Sequence, residues 1–309
     1  MRGEKVDQLA TLIAKQKAVI EAERTKRTQV HKQRAAAIRR GVDHRRALAQ
    51  QLPAQPLDFL AIGDSWFDYP LNGDSVSFSN TDITAQLQNI GNPPPTILNY
   101  AVRGQATTAV LSYENQQQMI DVLSDPTHWI NGSPDAILVS AGGDDIVGDQ
   151  FAIYLDYHGA GLNVPRFQGA LASVQASYED LFAFRDIFAP NKIIIGHCYD
   201  YAIPDGVGVC FLGPWLQPSL SFAGYDYNDG LAIVQQMITM FHDMLQGLAG
   251  SGPGTNNFLL VDTRNTIIRD ASSPNGWANE IHPYPAGFLG IAQKFVTALR
   301  GVPAFAGRI

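Results

Sequence analysis

Five short apolar runs, each of strand length and each set apart by a helical pattern, constrain this chain more than any other feature. They fall at residues 58–62, 96–100, 135–140, 192–196 and 257–262 and are built from Val, Ile, Leu and Phe. Helical patterns occupy residues 82–90, 105–123, 167–188, 228–248 and 285–299. Strands this apolar cannot leave a face to water, so the alternation implies a parallel sheet covered by helices on both sides. A chain of 309 residues, 45% of them hydrophobic, has enough material to bury such a core. The expected architecture is a three-layer α/β/α sandwich around a five-stranded parallel sheet, spanning residues 56–309.

Residues 1–55 differ in kind. They hold 13 of the 22 basic residues and only 5 of the 29 acidic ones, so a net +8 segment precedes a body of net −15. Residues 5–50 contain no proline and a single glycine, Gly41, which favours one long helix or two broken near Gly41. Val6, Leu9, Ile13 and Ile20 fit a seven-residue repeat that then meets Arg27 and Arg34, which argues against a continuous coiled coil. Three roles are open for this basic helical arm: a helix that oligomerises the chain or lies on the acidic body, a contact to an anionic partner such as nucleic acid or a membrane surface, and a solvated extension. Pro53 and Pro56 close it.

No apolar run reaches the length of a membrane span, and the N-terminus lacks the short apolar segment of a secretory signal, so a cytoplasmic chain is expected. Cys198 and Cys210 are too few for a disulfide framework, and two free thiols are expected. Residues 151–165 and 199–227 are long loops; the second carries Phe211, Trp215, Leu220 and Phe222, as a lid or substrate wall would.

The first run ends at Gly63, and Asp64 and Ser65 follow. A serine there sits at the carboxyl end of a strand, the edge of an open α/β sheet where ligands bind. Gly104 follows the second run, Gly142-Gly143-Asp144-Asp145 the third, and Asn279-Glu280-Ile281-His282-Pro283 precedes the last helix. Acyl transfer requires a nucleophile, a base and oxyanion donors, and these stretches carry candidates for each.

In this order the four stretches resemble the blocks of the SGNH hydrolases, the GDSL esterase and lipase family, over about residues 57–300. The resemblance implies Ser65 as nucleophile, His282 as its general base, and the N–H groups of Ser65 and Gly104 as oxyanion donors. Two positions depart from the family. Asp144 stands where an oxyanion asparagine belongs, and Asn279 where an aspartate orients the histidine. An ionised carboxylate only accepts hydrogen bonds, so Asp144 can serve an oxyanion only when protonated. An asparagine can orient an imidazole but brings no charge to its protonated form. Asn279, a backbone carbonyl, Glu280 or another acid such as Asp262 can take the orienting role.

The resulting expectation is a serine esterase acting on a small-molecule or lipid-like ester, with Ser65, His282, Asn279 and Glu280 catalytic and Ser65, Gly104 and Asp144 forming the oxyanion hole. The arm is expected to support a homo-oligomer. No cofactor and no metal are expected, although Asp64, Asp144 and Asp145 form a set of hard oxygen donors. The alternative is a non-catalytic binding or assembly module on a hydrolase fold, docking through the arm.

Overall fold

A computed structural model describes residues 2–69, 71–72, 75–76, 81–209, 213–250, 254–270, 273 and 276–309. Cys210 and Phe211 lie outside the described residues, as do the side chains of Val6 and Leu9. The five apolar runs become strands β1 (Asp58–Gly63), β2 (Thr96–Asn99), β3 (Ala136–Ser140), β4 (Ile193–His197) and β5 (Phe258–Val261). They form one parallel sheet of order β2-β1-β3-β4-β5. This is the α/β sandwich that the sequence implies.

The order follows from handedness. The chain leaves β1 through α2 (Ile83–Leu87) to reach β2 on one side, then crosses back over β1 to β3 through α3 (Thr107–Val110) and α4 (Tyr113–Ser124). It goes on through α5 (Gly143–Ile146) and α6 (Val164–Phe188) to β4, then through α7 (Gln217–Ala223) and α8 (Tyr227–Leu248) to β5. Right-handed crossovers in opposite directions put their helices on opposite faces. Accordingly α2 packs with the last helix, α9 (Pro285–Arg300), while α6 packs with α3, α4 and α8. The direction of winding reverses at the carboxyl end of β1, which opens a crevice there.

The helix expected over residues 105–123 is two helices. Leu111 closes the first, and Ser112, extended, begins the second. Asn115 Nδ2 donates to Ala109 O (2.6 Å) and Gln116 Nε2 to Leu111 O (2.9 Å), so carbonyls freed by the break are satisfied by side chains.

The arm is one unbroken helix, α1 (Arg2–Ala47), which passes through Gly41. Its second half lies on the body. The buried positions are Arg24, His31, Ala35 and Val42, a helical spacing whose centre is polar. Arg24 donates to Asn115 Oδ1 (2.6 Å), Gln118 Oε1 (2.6 Å) and the carbonyl of Tyr100 (2.8 Å). Arg27 reaches the carbonyl of Ala101 (3.1 Å) and pairs with Asp68 (2.5 Å). His31 Nε2 lies 3.0 Å from Asp58 Oδ1, and Lys32 pairs with Asp125 at 3.0 Å. Carbonyls just past edge strand β2 thus receive arginine donors from α1, and the helix covers an edge that would otherwise stand open. Of the heptad residues, Ile13 is exposed. No helix among the described residues is long and apolar enough to cross a membrane.

Candidate active site

The turn after β1 is dictated by how closely β1 approaches β3. Gly63 has φ +141°, and a Cβ there would lie 2.0 Å from the carbonyl oxygen of Ser140, so no other residue fits. Asp64 N–H bonds that same oxygen at 2.8 Å. The Asp64 carboxylate then folds the turn: it accepts from Trp66 N–H (3.0 Å), from Ser140 Oγ (2.7 Å) and from the hydroxyl of Tyr199. Tyr199 in turn accepts Gly143 N–H at 2.9 Å, which links the turn after β1 to the start of α5. His197 completes the scaffold. Its Nδ1 accepts Tyr199 N–H (3.1 Å), which leaves Nε2–H to donate to Ser140 Oγ (2.9 Å).

Ser65 emerges from this turn with its Oγ 2.6 Å from His282 Nε2. His282 Nδ1 lies 3.1 Å from Asn279 Oδ1. That oxygen also accepts the backbone N–H groups of Ile281 (3.2 Å) and His282 (3.0 Å), while Asn279 Nδ2 donates to Tyr69 Oη at 2.9 Å. Two backbone N–H donors on one amide atom identify it as the oxygen. His282 therefore carries its proton on Nδ1 and offers the Nε2 lone pair to Ser65, the tautomer a general base needs. Tyr69 stacks on the imidazole (ring centroids 4.1 Å apart, planes 14°), and Trp215 meets it edge-on at 5.8 Å. Burial lowers the His282 pKa to about 3.

Among the expected orienting groups, Asn279 touches the ring and Glu280 does not. The Glu280 carboxylate is buried and accepts four backbone N–H groups: Gly206 (3.1 Å), Trp215, Leu216 (2.6 Å) and Gln217 (2.8 Å). Placing Glu280 among the catalytic groups is therefore corrected: it pins the loop that carries Trp215. Adjacent residues of this tight loop point to different sides, and the sequence carries no sign of which faces the ring. Asp262, the other acid considered, is taken by Arg264 (2.8 Å).

Gly104 sits in a turn with φ +75°. Neither its N–H nor that of Ser65 donates a hydrogen bond among the described residues. Asp144 lines a small cavity, about 40 Å³, together with Ser65, Asp64, Tyr199 and apolar walls that include Trp66 and Ile238. Its Oδ2 is buried with no partner among the described residues. Burial, then the charges of Asp64 and Asp145, raise the Asp144 pKa to about 7; burial raises Asp64 to about 6 against the pull of its three donors. Asp145 turns the other way, accepting the N–H (2.9 Å) and hydroxyl (2.9 Å) of Thr107. No set of three acids, histidines or cysteines among the described residues is arranged to hold a metal.

Tyr69, Tyr199 and His197 complete the site. Each reaches its partner across the fold, and no local motif marks them. Cys198 is buried and unbridged, and burial pushes its thiol up to about 11.

No family model matches the chain, and no curated protein does. Among solved structures the chain is similar to the extracellular lipase from Streptomyces rimosus, at 17% identity and a TM-score of 0.49, over 78% of this chain and 99% of that one. It is also similar to phospholipase A1 from Streptomyces albidoflavus NA297 (16% identity, TM-score 0.48, 80% of this chain and 99% of that one). A third is the lipase Lip_vut3 from a goat rumen metagenome (15%, 0.48, 78% and 97%).

Proposed function

We propose that this protein is a serine hydrolase of carboxylic esters that works through an acyl-enzyme on Ser65. The 2.6 Å contact between Ser65 Oγ and a His282 held in the base-competent tautomer carries this reading. Ser65 Oγ attacks the acyl carbon as its proton passes to His282 Nε2. The tetrahedral intermediate then expels the alcohol oxygen, which takes that proton from Nε2. Water repeats the sequence: its proton goes to Nε2, its oxygen bonds the acyl carbon, and the Ser65 Oγ–carbon bond breaks as Oγ regains the proton. The N–H groups of Ser65 and Gly104, which donate to no group among the described residues, are the oxyanion donors in this reading.

Asn279 supplies orientation without charge. It sets the tautomer, and the imidazolium that forms in each half-reaction is stabilised by the amide dipole and by the face of the Tyr69 ring. The apolar walls of the cavity beside Ser65, Trp66 and Ile238 among them, favour a small apolar acyl group in this reading. Incubation with a fluorophosphonate followed by intact mass is the test. The native chain is expected to gain one adduct and S65A none. A native chain that stays unlabelled at every pH would overturn the proposal and favour a binding module on a hydrolase scaffold. On p-nitrophenyl esters, kcat/KM is expected to fall as the acyl chain lengthens.

A further inference from the structure

Two carboxyl groups, Asp64 and Asp144, face one small cavity beside the nucleophile, and they are served very differently. Asp64 takes donors on both oxygens: Ser140 Oγ and Trp66 N–H on Oδ1, and Tyr199 on Oδ2. Asp144 Oδ2 is buried with no partner among the described residues. A buried oxygen lacking donors is a poor seat for negative charge, which favours the neutral acid. A third acid, Asp200, also lines the cavity, but its carboxylate is occupied by the N–H groups of Tyr201, Asn265, Thr266 and Ile267. Asp145, on the same helix as Asp144, is turned to Thr107. The loop before α9 brings His282 to the far side of Ser65. No Lys, Arg or His is among the described residues lining the cavity, so nothing there neutralises a second carboxylate.

We propose that Asp144 acts as a neutral carboxylic acid whose O–H, on the oxygen left accessible to the cavity, donates a hydrogen bond to the oxyanion, so that ester hydrolysis switches off as Asp144 ionises. This rests on the ester-hydrolase reading and deepens it by adding a proton-dependent switch to the same site. The proton stays on Asp144 throughout. As the acyl carbon becomes tetrahedral, its oxygen gains charge and accepts from the Asp144 O–H alongside the N–H groups of Ser65 and Gly104; when the intermediate collapses the hydrogen bond weakens again. Once ionised, Asp144 would place like charge beside the oxyanion and oppose the same step. An asparagine would donate at every pH, so aspartate makes the donor conditional. His282 stays neutral down to about pH 3, so the base adds no limb near neutrality.

The experiment compares wild type, D144N and D144A on p-nitrophenyl acetate from pH 4.5 to 9, quantifying the released phenol after quenching at one fixed pH. Fluorophosphonate labelling of Ser65 at about pH 5.5 runs in parallel. Wild-type kcat/KM is expected to be flat in acid and to fall about tenfold per pH unit above about pH 7, while D144N stays flat through that range. D144A is expected to lose about 100-fold at acid pH and to show no such limb. An alkaline limb shared by wild type and D144N, or a wild-type rate that rises between pH 6 and 8, would overturn the inference while labelling of Ser65 leaves the hydrolase reading standing. If neither variant folds, a wild-type rate that stays flat or rises between about pH 6 and 9 overturns the inference. Absence of both labelling and hydrolysis overturns the two together.

Discussion

Replacing Asn279 by aspartate tests how the base is supported. The oxygen that now accepts from His282 Nδ1, His282 N–H and Ile281 N–H remains an acceptor in the variant. Only the contact with Tyr69 reverses direction, the phenol donating to the second carboxylate oxygen in place of accepting from the amide. All four contacts survive and one negative charge is added next to a buried imidazole. Hydrogen bonds with a charged partner contribute about 1–2 kcal/mol more than neutral ones, which is ~5- to 30-fold in rate when the charge complements an imidazolium formed in the transition state. The same charge raises the His282 pKa from about 3, so an acid limb in kcat/KM is expected to move upward. The assay is kcat/KM on p-nitrophenyl acetate against pH, with imidazole titration by NMR as an independent readout. A variant that melts like wild type and has a raised imidazole pKa, yet shows no gain or a loss in plateau rate, would refute the view that the wild-type site lacks charge support.

Other outcomes follow from single contacts. Glu280→Ala strands four backbone N–H groups, and the cost is expected to be about 3 kcal/mol in urea unfolding with KM rising more than kcat falls as the Trp215 loop loosens. Gly63→Ala places a methyl 2.0 Å from Ser140 O at a positive φ, and its expression in soluble, folded form is expected to fail or its melting temperature to drop by more than ~10 °C. For D144N the stability gain over wild type is expected to be near zero at pH 4 and to grow to about 4 kcal/mol by pH 8. The sign follows from a raised acid: below the unfolded value the native proton costs nothing, and wild-type stability falls as pH climbs from there through about 7. Removing residues 2–47 uncovers Asp58 and the Tyr100 carbonyl, so the truncated body is expected to unfold at lower urea, read by circular dichroism.

The five strands were legible because each is a dense apolar run, and their observed ends agree with the runs to within a residue or two. Ser65 and Gly104 could be singled out because they sit in short motifs at strand ends, and His282 because its motif directly precedes the last helix. The docking face of α1 could not, because its centre is Arg24 and His31: a search for apolar periodicity passes over a face that is buried by hydrogen bonds. The division of labour between Asn279 and Glu280 was equally hidden. Two adjacent polar side chains in one loop are indistinguishable until the fold shows that one meets an imidazole and the other four N–H groups.

What the amino-acid order determines by itself is the alternation of strand and helix, and with the rule of right-handed crossovers this confines the molecule to a covered parallel sheet with its crevice at strand ends. Which groups carry charge there was decided only in three dimensions. The Asn279 amide finds Tyr69 210 positions away, and Asp64 finds Tyr199 135 positions away. Protonation depends on burial and on donors gathered from distant segments, and neither is a property of a residue's neighbours along the chain.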